Sequence, residues 1–134
     1  MSNVKTILVA ITDIFFYTKV RDALLPSGYA LERARSQGDI AQKTSAASPA
    51  AVILNMNDET LNAFDALETL KGNSQTNRIP ILAFANHEEV DTWNRAKSLG
   101  VSKIVSRNEF SARTKDLVEE VINAHVSATG KVER

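Results

Sequence analysis

The sequence predicts an α/β fold, a three-layer sandwich with a parallel sheet between two layers of helix. Three observations predict it. Short apolar bursts of strand length recur along the chain, and the longer ones are apolar almost throughout, as strands buried on both faces require. Each burst is followed by an amphipathic stretch long enough for a crossover helix. Glycine, proline or a cluster of small polar residues punctuates most of the junctions.

Taken in order, Lys5-Thr-Ile-Leu-Val-Ala-Ile11 is the first and most apolar run, a central strand. Asp13 stands where an N-cap belongs, ahead of a helix from Ile14 to Leu25 with Phe16, Val20 and Leu24 on one stripe. Pro26-Ser-Gly28 ends it. Tyr29 to Ala34 is a shorter strand, and Gly38 to Ala47 a weak, Ala/Ser-rich helix. Pro49 opens a third strand, Ala51 to Met56. Leu61, Phe64, Leu67 and Leu70 give the next helical face, which Gly72-Asn-Ser74 closes. Ile79-Pro-Ile-Leu-Ala-Phe84 is the fourth strand, and Glu88 to Leu99 the fourth helix, closed by Gly100. Lys103 to Ser106 is a fifth strand, and Ser111 to Ala124 a last helix with Leu117, Val118, Val121 and Ile122 inward. Residues 126–134 have few apolar anchors and read as a flexible C-terminal tail, leaving 1–125 as one domain.

Right-handed crossovers between parallel strands leave few topologies. Of these the flavodoxin-like (βα)5 order 2-1-3-4-5 is expected. Its crevice lies where the winding reverses, at the carboxyl ends of strands 1 and 3. Here those ends supply Ile11, Thr12, Asp13, Asn55, Met56 and Asn57. The chain's 134 residues suit one domain with a core of its own. Sixteen basic and 16 acidic side chains balance to a formal charge of zero, which argues against bulk attraction to nucleic acid or membrane. With no cysteine, disulfide and thiol chemistry are excluded. No apolar stretch approaches the ~20 residues of a bilayer span, and a cytoplasmic location is expected.

Five landmarks in the correct order carry a family resemblance: Lys5-Thr-Ile-Leu-Val, Leu25-Pro-Ser-Gly-Tyr29, Ser48-Pro-Ala-Ala-Val-Ile-Leu, Arg78-Ile-Pro-Ile-Leu-Ala and Ala96-Lys-Ser-Leu-Gly-Val. From about Lys5 to Ile122 the chain resembles a response-regulator receiver domain. The resemblance implies a magnesium-dependent phosphoacceptor site, and the chain departs from it at nearly every functional position. The two acids after strand 1 fall on Ile11 and Thr12 or, with a one-residue shift, on Thr12 and Asp13. The phosphoacceptor aspartate falls on Asn55, the hydroxyl residue ending strand 4 on Ala85, and the lysine ending strand 5 on Arg107. An amide is neither a nucleophile at neutral pH nor more than a weak, neutral metal ligand. Arg107 keeps the charge but not the compact ammonium. With at most one carboxylate left, magnesium binding is expected to be weak or absent, and no other cofactor is implied. The resemblance is therefore to a degenerate, pseudo-receiver type.

Other residues carry two readings each. Asn55 either donates its amide to Thr12 or Asp13 as a phosphate-free switch element, or satisfies strand-end carbonyls. Asp13 and Asp58 are substitute phosphoacceptors or, more simply, N-caps of the helices that follow. Trp93 is a partner anchor, or packs across the edge of strand 5. From Arg95 to Lys115 six bases (Arg95, Lys97, Lys103, Arg107, Arg113, Lys115) face one acid, Glu109, while Asp58, Glu59, Asp65 and Glu68 make the segment after strand 3 acidic. Such patches either steer a partner or are solvated faces. Phe15-Phe16-Tyr17 must leave at least one ring partly exposed, with Tyr17 expected to snorkel. His87 and His125 have no companions for metal binding or a catalytic relay, and no phosphate loop or nucleophile elbow is present.

The expected function is that of an atypical stand-alone receiver-like domain in bacterial two-component or phosphorelay signalling. It is not an enzyme, and it acts through phosphorylation-independent protein–protein contact. With no output domain in the chain, its effect is expected to pass through a separate protein partner or a homodimer. Trp93, Lys97, Lys103, Arg107 and Arg113 on the helix 4–strand 5–helix 5 face are the expected contacts; neither nucleic acid nor membrane is expected as a partner. The alternative is a flavodoxin-like domain binding a small ligand in the vacated crevice, lined by Thr12, Asp13, Phe15, Asn55 and Asn86. A third reading is a receiver phosphorylated on another acid.

Overall fold

A computed structural model describes residues 4–130, and the side chains of residues 4–127. Five strands form one parallel sheet: β1 (Thr6–Ala10), β2 (Ala30–Arg33), β3 (Ala51–Asn55), β4 (Ile81–Ala85) and β5 (Lys103–Ser106). Their order is β2-β1-β3-β4-β5, the flavodoxin-like arrangement. Register pairs Val9 with Arg33 and Ile53, Asn55 with Phe84, and Ala85 with Ser106, so the carboxyl ends of the strands come level along one edge.

The helices are α1 (Ile14–Leu24), α2 (Gln37–Ala47), α3 (Ala63–Lys71), α4 (Val90–Ser98), α5 (Arg107–Ala112) and α6 (Thr114–Gly130), with one 3-10 turn, Leu25–Ser27. Alternation along the strands sorts them into two layers. Ile7, Val9, Ile11, Ile53, Leu82 and Phe84 face α1, α5 and α6, whereas Leu8, Ala10, Val52, Leu54, Ala83 and Ala85 face α2, α3 and α4. Every residue of β3 and β4 is buried, which explains why they are apolar throughout except for Asn55 at the end of β3.

Caps fix most helix starts. The Asp13 carboxylate accepts the N–H groups of Phe15 and Phe16, as its position ahead of α1 predicts. Ser36 caps α2 and Asn62 caps α3. Gln37 and Asn62 then clamp the two helices together, the Asn62 N–H donating to Gln37 and the Gln37 amide to the Asn62 carbonyl, at 2.7 and 2.9 Å. Gly100 turns the chain out of α4 at φ 101°, where a Cβ would come within 3.2 Å of Lys71 Cε.

Three sequence expectations differ from the structure. Asp58 does not cap α3; Asn62 does, and Asp58 is used elsewhere. The segment after β5 is not one helix from Ser111. The chain turns directly from β5 into α5, capped by Ser106, and breaks at Arg113 (φ −130°, ψ 33°) before α6. The last helix then runs past Ala124 to Gly130, taking up residues 126–130 of the expected tail; residues 131–134 lie outside the described residues. No helix among the described residues is long and apolar enough to cross a membrane.

Candidate functional site

Strand ends at the carboxyl edge build a cleft of about 290 Å³, lined among others by Thr12, Asp13, Asn55, Asn57, Asp58 and Arg107. Of the five positions implied by the resemblance, Thr12, Asp13, Asn55 and Arg107 meet in this cleft. Ala85 does not line it: its methyl group is wholly buried in the core under α4.

Asn55 is buried at the end of β3, and its side-chain oxygen accepts the Asn57 N–H at 2.9 Å. This is neither expected arrangement. The amide does not donate to Thr12 or Asp13, nor to a strand-end carbonyl, because the side chain turns back on its own loop as an Asx turn. Thr12 is engaged by Asp58 instead. Its N–H lies 2.9 Å from one carboxylate oxygen of Asp58, and its hydroxyl lies 2.9 and 3.0 Å from the two oxygens. The N–H groups of Thr60 and Leu61 add two more bonds of 2.9 Å. Asp58 thus buckles the β1–α1 connection to the β3–α3 loop across 46 residues of sequence. Partial burial opposes ionisation of Asp58, but the N–H groups of Thr12, Leu61 and Thr60 and the Thr12 hydroxyl outweigh it, holding the carboxyl below its ordinary value.

A divalent cation would need free carboxylate oxygens here. Asp13 spends its Oδ1 on two helix N–H groups, and both oxygens of Asp58 are engaged by the protein. Among the described residues no three His, Cys, Asp or Glu side chains cluster as metal ligands. Asp13 Oδ2 and Glu59, which also lines the cleft, are the carboxylate groups among the described residues left without a protein partner there.

Arg107 begins α5 with its guanidinium 4.5 Å from the centroid of Phe16. Phe16 belongs to an aromatic cluster in which Phe84 and Phe110 stack at 4.5 Å and Phe16 tilts against them at 5.1 and 5.8 Å. On the other side of Arg107 lies a second hollow of about 290 Å³, between the segment starting at Asn86 and the β5–α5 junction.

Two residues that sequence reasoning left out of the site, Arg33 and Glu89, hold its walls together with Asn57, which was expected at the end of strand 3. Arg33, at the end of β2, donates to the carbonyls of Thr12 and Ile11 at 2.9 and 3.4 Å, and its guanidinium lies 4.5 Å from the Tyr17 ring centroid. Asn57 accepts the Asn86 N–H at 2.8 Å and donates to Glu89 at 2.7 Å. Glu89 also takes the Thr92 hydroxyl at 3.2 Å and the Asn86 amide at 3.4 Å, while Trp93 Nε1 donates to the Asn86 carbonyl at 3.0 Å. Hydrogen bonds, that from Asn57 foremost, hold the Glu89 carboxyl below its ordinary value. A polar chain therefore runs from the mouth of β3 to the first turn of α4. Polar residues clustered just past strands 3 and 4 (Asn57, Asn86, Glu89) were the available signal.

The basic face is much less basic than its sequence. Lys103 pairs with Glu120 at 3.5 Å, Arg113 with Glu109 at 2.8 Å and also with Glu120, and Arg95 with Glu68 at 3.9 Å. Arg113 ionisation is further favoured by its hydrogen bonds to Glu120 and Glu109. Glu120 lies beyond the Arg95–Lys115 stretch, and Glu68 belongs to the acidic patch, so one apparent patch partly cancels the other. Trp93 is half-buried against the α2–α3–α4 layer, not across the edge of β5 alone. Of the aromatic triplet, Phe16 is core, Tyr17 packs under Arg33, and Phe15 is the exposed ring at 82%. Phe15 lines neither hollow, and Asn86 lines only the second, so the ligand crevice imagined from sequence is not assembled as one site.

No family model matches the sequence, and no curated protein matches it significantly. Solved structures do match in shape. NtrX from Brucella abortus superposes with a TM-score of 0.86 at 15% identity over 97% of this chain, which spans only 29% of the NtrX chain. A response-regulator signal receiver domain from Bermanella marisrubri gives 0.79 at 20% identity, covering 90% of this chain and 99% of its own. The chemotaxis response regulator CheY4 of Vibrio cholerae gives 0.74 at 19% identity, covering 87% and 99%. The fold is the receiver fold.

Proposed function

We propose that this chain is a receiver-like signalling domain of the pseudo-receiver type, working by protein–protein contact without phosphorylation or magnesium. One observation carries the reading. The residue at the end of β3 is an amide closed onto its own loop, and the neighbouring carboxylate, Asp58, is saturated by Thr12, Thr60 and Leu61. The Asn55 amide offers a phosphoryl donor no nucleophilic oxygen, and both oxygens of Asp58 are already taken up by the protein. Ala85 also removes the hydroxyl through which phosphate would be sensed at β4, and the Asn57–Glu89 chain already joins the β3 loop to α4. A domain so joined supports one standing surface rather than a phosphate-driven pair. The α4–β5–α6 face, with half-buried Trp93, exposed Lys97 and the ion-paired Lys103 and Arg113, is the proposed contact for a bacterial signalling partner or a second copy.

Titration with magnesium and beryllofluoride, followed by Trp93 fluorescence and the thermal midpoint, tests this. Trp93 touches the Asn86 carbonyl and so reports on the cleft's neighbour loop. The expected result is no saturable change up to millimolar magnesium. A saturable, magnesium-dependent shift would show a working phosphosite and overturn the reading.

A further inference from the structure

The hollow between the β4–α4 and β5–α5 connections is lined by Asn86, His87, Ser106, Arg107 and Asn108. All five side chains can donate hydrogen bonds, and none is acidic. The acids next to it in sequence are Glu88, exposed and 3.9 Å from His87; Glu89, held by Asn57, Thr92 and, at 3.4 Å, the Asn86 amide; and Glu109, held by Arg113. Ser106 accepts the Glu109 N–H, which leaves its hydroxyl hydrogen to donate.

Arg107 differs from the arginines around it. Arg33 is spent on two carbonyls, Arg95 on Glu68, and Arg113 on Glu109 and Glu120. Arg107 has no carboxylate partner among the described residues, and its guanidinium is positioned by the face of Phe16. That ring is fixed by Phe84 and Phe110, so the cation is held in place before any ligand arrives. On one side of Arg107 lies the cleft, carrying Asp13, Asp58 and Glu59, which repels anions. The hollow on the other side is lined by no carboxylate.

We propose that this second hollow binds a small oxyanion, inorganic phosphate or a phosphate monoester, clasped by the Arg107 guanidinium and the side chains of Asn86, Ser106 and Asn108. The site lies across Arg107 from Asn55 and requires neither metal nor covalent chemistry. Its volume of about 290 Å³ exceeds the needs of a phosphate group and leaves room for a small organic substituent. It gives a domain without phosphotransfer a separate chemical input, next to the loop that leads to α4.

The test is a titration with inorganic phosphate in EDTA at low ionic strength, read by backbone amide shifts and the thermal midpoint; EDTA keeps the outcome independent of any magnesium-dependent phosphorylation. Saturable shifts are expected at Asn86, His87 and residues 106–108, with none at residues 55–60. Arg107→Gln should weaken binding at least about tenfold, as loss of a charge-assisted contact does, and Asn108→Asp should weaken it by a similar factor through repulsion. Glucose 6-phosphate and free glucose form the second arm: binding of the former alone extends the ligand to monoesters, while binding of inorganic phosphate alone restricts it to the free ion. No saturation by about 20 mM of either phosphate, shifts centred on Thr12 and Asn55, or unchanged affinity in both variants would overturn the proposal.

Discussion

Replacing Phe110 by alanine is expected to lower stability by roughly 3–5 kcal/mol, the range for deleting a buried aromatic ring. Phe110 is fully buried, stacked 4.5 Å from Phe84 and within 5.8 Å of Phe16. Nothing beside it is mobile enough to fill the space: Phe84 is held in β4 with its neighbours buried, and Leu117 and Val118 are core positions of α6. With a total stability of about 5–15 kcal/mol for a domain of this kind, the loss removes a large part of the margin. A fall of roughly 10–20 °C in thermal midpoint is expected, read by calorimetry or far-UV circular dichroism. A change below about 1 kcal/mol would show that the core relaxes into the void, and the account of Arg107 as a cation set on a rigid ring would fail with it.

Asp58→Ala is the second large effect. It strands the N–H groups of Thr12, Thr60 and Leu61 and the Thr12 hydroxyl, in a place where only part of the deficit can be met by water. A cost of about 2–3 kcal/mol is expected, more than for an ordinary surface substitution because one carboxylate serves four donors. Acid should remove part of the same stabilisation in the unaltered protein. The folded-state carboxyl titrates below its ordinary value of 3.8, so its stabilisation is complete above that value and disappears as pH falls through the folded pKa. The stability difference between the two proteins should therefore be constant from pH 5 to 8 and shrink below about pH 4. Chemical denaturation across that range checks both magnitude and direction. A gap that widened in acid would mean the carboxylate is strained, not stabilised, by its donors.

The sheet was legible because burial on both faces leaves little freedom in composition. Ile7 to Ile11, Ala51 to Asn55 and Ile81 to Ala85 are apolar nearly without interruption, and only a central parallel position demands that. Asp13 was legible for a similarly local reason: a cap and the N–H groups it binds are two or three residues apart. Asp58 carried the same local signature yet had a second, distant obligation to Thr12 that no local pattern encodes. The division after β5 was signalled by Ser106 and Glu109, a Ser-x-x-Glu spacing, but the apolar period running into Leu117 masked it. Charge misled most. Lys103 and Arg113 read as a free basic face because their partner Glu120 follows seven residues after Arg113, on the next helix. What a cluster of charges exposes depends on pairing across elements, which a linear count does not contain.

Arg33 has a consequence for timing. It reaches from an outer strand of the sheet to hold the carbonyls of Ile11 and Thr12, just past the end of β1. Outer strands are the first to peel during sub-global opening, while the centre of the sheet stays closed. Each time β2 lifts away, the grip on the floor of the cleft goes with it, and the loop bearing Thr12 is released from one of its two moorings. Hydrogen exchange at the entry to α1 should then keep pace with exchange in β2, not with the far slower β3. The edge of the sheet acts as the clock for the cleft.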